Sequence, residues 1–194
     1  NSTASAQQQA QEGNYWDSFL KFNFNYDKRN QKFQTSDGFR SFYSLDLPII
    51  SDTNTIKNYY NYSHYFDFFE KNFSSISIYL QSANSLNNKD IKLSERINIP
   101  SSRLRGFEAG RVGPKDGDDF VGGNYAYSIN FASNIPQLFE ESQSIDFLIF
   151  ADAADIWGVD YNSSIDGEGI RSSIGVALDW MTPIGPMSFS FAHP

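Results

Sequence analysis

Residues 174–194 read IGVALDWMTPIGPMSFSFAHP. Ile174, Val176, Leu178 and Trp180 alternate with Ser173, Gly175, Ala177 and Asp179. After the turn-forming run at 181–186, Met187, Phe189 and Phe191 alternate with Ser188, Ser190 and Ala192. A period of two is the signature of a β-strand with one apolar face, and the Pro and Gly between the two runs mark a tight turn. The segment is therefore a hairpin with an aromatic, branched face and a face of small polar residues.

Working outward, the same rule governs most of the chain from Tyr15 onward. Leu20, Phe22, Phe24 and Tyr26 alternate with Lys21, Asn23 and Asn25. Phe39, Tyr43, Leu45 and Leu47 oppose Arg40, Ser44 and Asp46, and Pro48 with SDTNT is expected to close that strand. Tyr60, Tyr62, His64, Phe66 and Phe68 oppose Asn61, Ser63 and Asp67. Ile76, Ile78 and Leu80 oppose Ser75, Ser77 and Gln81. Tyr125, Tyr127, Ile129 and Phe131 oppose Asn124, Ala126, Ser128 and Asn130, and the run at 145–157 sets Phe147 and Ile149 against Asp146, Phe150 and Asp152. With the closing hairpin this makes about eight strands.

Composition narrows what such strands can build. Of 194 residues, 40% are hydrophobic and 16% aromatic, with Phe 18, Tyr 11 and Trp 3, an aromatic-rich profile that suits an all-β protein. No run approaches the roughly 18 apolar residues of a transmembrane helix. The net charge of −8 provides no basic stripe for phosphates, so no nucleic-acid partner is expected. The absence of cysteine removes disulfides, thiolate zinc sites and cysteine nucleophiles together.

The face opposite the aromatic rows carries Ser, Asn, Gly and Ala more often than charge. That suits a watery lumen better than an exposed surface, and runs of roughly 9–11 residues suit tilted membrane strands. The links at 27–38, 69–72, 136–144 and 182–186 read as compact or turn-rich. Those at 48–56, 83–121 and 158–169 read as mostly longer and more polar, the asymmetry of an outer-membrane barrel. The pattern thus predicts an antiparallel transmembrane β-barrel segment. A soluble acidic β-sandwich binding module and a small complete eight-stranded barrel are the alternatives. Residues 1–14, polar and without aromatic anchors, read as a flexible extracellular loop. Residues 83–121 form a long irregular loop, and loops of that length are usually functional or disordered.

Catalysis has little support. His64 is expected to pack in an aromatic belt, and His193 is near the end of the sequence, so neither suggests a Ser-His-Asp triad. Asp116, Asp118 and Asp119 resemble a calcium loop, but Val121 and Tyr127 stand where glycine and glutamate would be needed. Asp160, Asn162, Ser164 and Asp166 fit better, yet Ile165 occupies the glycine position. Gly106, Gly110 and Gly113 do not lead from a strand into a helix, so no phosphate-cradling loop is indicated. No metal and no cofactor is expected, and no enzymatic activity.

Three motifs remain: Leu104-Arg105-Gly106-Phe107 in the longest loop, the Phe150–Trp157 run FADAADIW, and GVALDWMTPIGP at 175–186. Together, over residues 15–194, these resemble the C-terminal barrel of the BamA-like outer-membrane assembly factors in the bacterial surface-antigen superfamily. The resemblance implies eight strands of a 16-stranded barrel in the bacterial outer membrane, with the long loop tucked back into the lumen. It implies that Arg105, with Gly106 and Phe107, meets the inward Asp152 near Phe150. It also implies a role in folding and inserting β-barrel clients, with unfolded clients, assembly-machinery lipoproteins and the lipid bilayer as partners. Translocation-assembly and two-partner secretion transporters share the loop motif and remain alternatives. The family's periplasmic POTRA domains, first seven strands and final strand have no counterpart in these residues.

Overall fold

The structure is a computed structural model that describes residues 9, 11–136, 144–166 and 169–194. Residues 1–8 and 10 of the polar N-terminal segment, most of the 136–144 link, and residues 167–168 lie outside the described residues. The strands are β1 (Asp17–Asp27), β2 (Gly38–Ser51), β3 (Thr55–Phe66), β4 (Ser74–Ser85), β5 (Lys115–Asp116), β6 (Asp119–Phe120), β7 (Tyr125–Asn134), β8 (Ile145–Trp157), β9 (Arg171–Thr182) and β10 (Gly185–His193). Eight of them form one sheet in the order β1-β2-β3-β4-β7-β8-β9-β10, with every neighbour antiparallel.

Among the described residues the sheet is open: β1 pairs only with β2, and β10 only with β9. This excludes a closed eight-stranded barrel. The only other sheet among the described residues is the two-stranded β5–β6 hairpin, so there is no second layer for a sandwich. The apolar rows lie uncovered. Leu20, Phe22, Phe24, Ile76, Ile78, Leu80, Ile129, Ile149, Ile174, Phe189 and Phe191 are all about 40–77% exposed. Buried residues of the opposite face include Ser63, Ser128, Asn130, Asp152 and Ser173. Apolar outside and polar inside inverts a water-soluble domain and matches a wall between lipid and an aqueous lumen.

Sequence order sorts the links into two ends. At one end lie the β1–β2, β3–β4, β7–β8 and β9–β10 connections, the last a two-residue turn at Pro183-Ile184. At the other lie the β2–β3 link, the long β4–β7 loop and the β8–β9 loop. Three expectations need correction. Pro48 does not close a strand: β2 continues to Ser51 through a bulge at Ile49, where Ser18 pairs with Ile50 and Phe19 with Pro48. Pairing with β3 ends at Asp46–Lys57, so Pro48 sits where β2 has one neighbour and its missing N–H is tolerated. The 48–56 link is consequently only residues 52–54. Finally, Phe68 falls beyond the end of β3 and packs edge-on to Phe66, with ring centroids 5.1 Å apart.

The long loop is folded. It runs from 86 to 124 and contains a 3-10 turn (Leu93–Glu95), the β5–β6 hairpin and a bridge between Ile97 and Gly123. The main hydrophobic cluster lies between this loop and the inner wall. Ile91, Ile97, Ile99, Leu104 and Val112 from the loop meet Tyr79, Ala83, Ala126, Ala154 and Ile156 from β4, β7 and β8. The largest apolar burial therefore occurs where loop meets lumen wall, while the rest of the wall's apolar surface is left for lipid.

A charge on the outer face should be costly, and one on the inner face should not. In the full-length protein folded into bilayers, Ile129→Arg is expected to lower stability by about 2–4 kcal/mol. Asn23→Arg, on the inner face of β1, should stay within about 0.5 kcal/mol. Denaturant titration of bilayer-inserted protein measures both.

Candidate functional site: a loop seated on the lumen wall

Asp152 stands on the inner face of β8, directly across from Asn130 on β7 and Ser173 on β9. The period-two alternation turns it inward, and the loop covers it to 3% exposure. A carboxylate so far from water needs donors. Arg105 Nε donates to Oδ2 at 2.7 Å and Nη2 donates to Oδ1 at 2.7 Å, a bidentate fork. The backbone N–H of Arg105 adds a third bond to Oδ2 at 3.1 Å. Asn130 Nδ2 supplies a fourth to Oδ1 at 2.8 Å and also donates to the Arg103 carbonyl at 2.8 Å.

The guanidinium carbon of Arg105 lies 3.5 Å from the centroid of the Phe150 ring, which shares the inner face with Asp152. Cation and carboxylate are thus held while the cation is also stacked on an aromatic face. Gly175, directly across from Phe150 on β9, leaves the ring the necessary space, since a Cβ there would come within 2.6 Å of Phe150 Cζ and 2.1 Å of the Phe191 carbonyl oxygen. Gly106 has φ +88, and a Cβ there would come within 2.8 Å of Ala192 Cβ. The motif backbone is therefore pressed onto β10. Phe107 packs against the hydrophobic cluster. The structure accordingly brings together Arg105, Gly106, Asp152 and Phe150, with Phe107 on the cluster alongside.

Other contacts had no local sequence signal. Arg96, its side chain fully enclosed, is paired with Asp160 of the β8–β9 loop, and its guanidinium carbon lies 5.1 Å from the Tyr161 ring centroid. Asp160 also accepts from the Ile91 N–H at 2.7 Å. Tyr161 donates to Asp116 at 3.2 Å, tying the hairpin to the same neighbour loop. Burial raises the Tyr161 phenol above its ordinary pKa, and the Asp116 carboxylate raises it further. Asp116 and Asp160 are thus engaged with protein groups, and the Asn162 side chain accepts from Ser164. Lys57 on β3 pairs with Glu95 at 2.6 Å, Leu93 N–H donates to the Gln11 side chain at 2.8 Å, and Lys92 Nζ lies 3.0 Å from the Tyr15 ring centroid. An inner-face aromatic row, Phe42–Tyr59–Tyr79, ends under Arg103, 5.5 Å from the Tyr79 ring. His64 lies on the outer face, its ring stacked on Tyr62 at 5°.

A lipid-facing antiparallel wall with a long loop pinned to its inner side by one arginine defines a class: an outer-membrane β-barrel with a lumen-inserted loop. Comparison with known proteins specifies it. The Omp85 superfamily domain matches residues 1–194, and the chain belongs to that superfamily. It is 32% identical over 120 residues to the outer membrane protein assembly factor BamA of Neisseria meningitidis serogroup B, covering 47% of this chain and 15% of that protein. It is 30% identical over 131 residues to a SAM50-like protein of Schizosaccharomyces pombe, covering 62% of this chain and 27% of that one. Its fold superimposes on the crystal structure of BamA from Haemophilus ducreyi lacking POTRA domains 1-3 with a TM-score of 0.79 and 27% identity, over 91% of this chain and 38% of that chain. The chain is thus a BamA-like part of an outer-membrane barrel, and it spans well under half the length of each of these proteins.

Removing Arg105 would strand a buried carboxylate. Arg105→Ala should cost the full-length barrel about 3–5 kcal/mol, and Asn130→Ala about 1–3 kcal/mol, by denaturant titration in lipid. Arg105→Lys should recover only part of the loss, because an ammonium cannot make the fork. Stability should also depend on alkaline pH. A folded-state phenol raised above the ordinary 10.0 keeps its contribution below that pH and loses it as pH rises toward the folded value. Tyr161→Phe should remove that part of the alkaline decline, read by melting profiles across the range.

Proposed function

We propose that this chain forms the back wall and lumen loop of an assembly factor that folds β-barrel proteins into the bacterial outer membrane. The observation that supports it most directly is the Arg105 fork on Asp152 over Phe150, which holds the 86–124 loop against the inner wall. The named relatives are BamA proteins and a SAM50-like protein, and this chain matches part of each.

The mechanism in this reading involves no bond chemistry. A client strand entering lipid must satisfy its backbone N–H and C=O groups, and each unpaired group costs several kcal/mol in hydrocarbon. A barrel lowers that barrier in two ways. Its strand edges pair with incoming strands through main-chain hydrogen bonds, and a wall that mismatches the bilayer thins it locally. Both need a barrel that deforms at one place and stays rigid elsewhere. The Arg105–Asp152 contact acts as a lock: it fixes loop against wall, so this side of the barrel keeps its shape while another side opens. Unfolded outer-membrane clients and assembly-machinery lipoproteins are the partners of the whole protein in this reading, and the bilayer is its solvent.

The test is Arg105→Ala and Arg105→Lys in the full-length protein, with accumulation of folded client barrels scored in cells. A loss of client assembly in Arg105→Ala, partly restored in Arg105→Lys, is expected. Wild-type assembly together with wild-type barrel stability would remove the role given to the loop.

A further inference from the structure

At the end opposite the long loop, the β1–β2 connection is out of proportion to its task. Antiparallel neighbours can be joined by two residues, as β9 and β10 are. Residues 28–37 instead form a braced excursion. Asn30 N–H donates to the Asp37 carbonyl at 3.1 Å, and Asn30 Nδ2 donates to Ser36 Oγ at 2.9 Å. Gln31 Nε2 donates to the Gln34 carbonyl at 2.7 Å, and Thr35 Oγ1 donates to the Gln31 carbonyl at 2.7 Å. Thr35 is only 7% exposed, unusual for a turn residue, and Gln34 adopts φ +50.

The excursion reaches over the concave face of the sheet. Gln34 Nε2 donates to both carboxylate oxygens of Asp146 on β8, at 2.9 and 3.1 Å. Between β2 and β8 lie β3, β4 and β7, so Asp146 is four strand spacings away along the sheet. At roughly 4.8 Å per spacing that is an arc of about 19 Å. The Arg29 guanidinium lies 5.9 Å from the ring of Tyr65 on β3. Beneath the excursion is a cavity of about 220 Å³, whose lining includes Phe33, Thr35, Tyr65, Ala132, Leu148 and Asp146.

We infer that residues 28–37 are a strap that sets the curvature of this wall at its turn end, with Gln34–Asp146 as its buckle. Both ends of the wall are then held by chords across the concavity: the long loop at one end and the strap at the other. The strap is a short neutral-amide contact to a half-buried carboxylate, far weaker than the Arg105 fork. The turn end is therefore where the wall yields first when the barrel is deformed. This goes beyond the assembly role, because it is a property of the wall without any client.

The experiment is a spin-label distance measurement in the full-length protein in lipid nanodiscs. Labels go on cysteines replacing Ser41 of β2 and Ala151 of β8, small residues on the outer face by register. The expected result is one narrow distance distribution in the parent, and a longer or broadened one in Gln34→Ala. Asp179→Asn, which removes the charge facing Asp146 but not the contact, should keep the parental distribution. A Gln34→Ala distribution that superimposes on the parent overturns the strap. If Gln34→Ala does not reach the heat-resistant barrel form, Gln34→Lys decides. It keeps a donor facing the carboxylate, so a parental distance supports the strap and a broadened one overturns it. Neither readout involves client insertion, so the outcome is independent of the proposed assembly function.

Discussion

A carboxylate that is almost sealed from water must be answered by donors, and Asp152 is answered four times. Two of those donors belong to one guanidinium fork, one to the same residue's backbone, and one to a cross-strand asparagine. The arrangement works because the wall is rigid there. β7 and β8 hold Asn130 and Asp152 opposite each other by ladder register, and Phe150 lies two residues along on the same face. The loop brings the complement. Leu104, 1% exposed, is buried in the cluster next to the arginine, so apolar packing fixes the backbone that aims the charge. A buried ion pair of this kind contributes less to net stability than its geometry suggests, since both charges have been desolvated. Its main effect is to fix where the loop sits on the wall.

The inverted polarity of the wall explains why the fold was largely legible in the residues. Each strand has one solvent on each face, so alternation is nearly uninterrupted, from Leu20-Lys21-Phe22-Asn23 in β1 to Met187-Ser188-Phe189-Ser190 in β10. The register keeps the outer row, from Phe22 and Tyr43 through Tyr60, Leu80 and Tyr127, on one side of the sheet. Alternation placed Asp152 on the polar face, while its pairing with Arg105 came from the family resemblance. Where the reading missed, tertiary context was responsible. Pro48 looks like a terminator, but it sits in a strand whose second neighbour has already ended, so the local rule had nothing to act on. Tyr59, Tyr79 and Phe42 are aromatics at inward positions: Tyr79 and Tyr59 pack on the cluster the loop builds, Arg103 lies over Tyr79, and Phe42 packs on Tyr59.

Contacts between distant loops left no trace in the sequence. Arg96 and Asp160 are 64 residues apart and neither sits in a periodic segment, so only the folded loops pair them. Asn130 was placed on the correct face by alternation, but its bond to the Arg103 carbonyl depends on the loop's path through the lumen. The long loop looked irregular because its order comes from the wall. Its apolar residues are spaced to meet Tyr79, Ala83, Ala126 and Ile156, not to form a helix or strand.

Gly175 has a consequence for how this barrel wall can diverge. The Phe150 ring and the Phe191 carbonyl occupy the space a side chain there would need. At Gly175 the inner face of β9 is thus closed to bulk, while Ile174, Val176 and Leu178 face a solvent indifferent to shape. Substitutions can accumulate along the membrane side of this strand with little mechanical effect, whereas its lumen side records the ring, the arginine and the loop together.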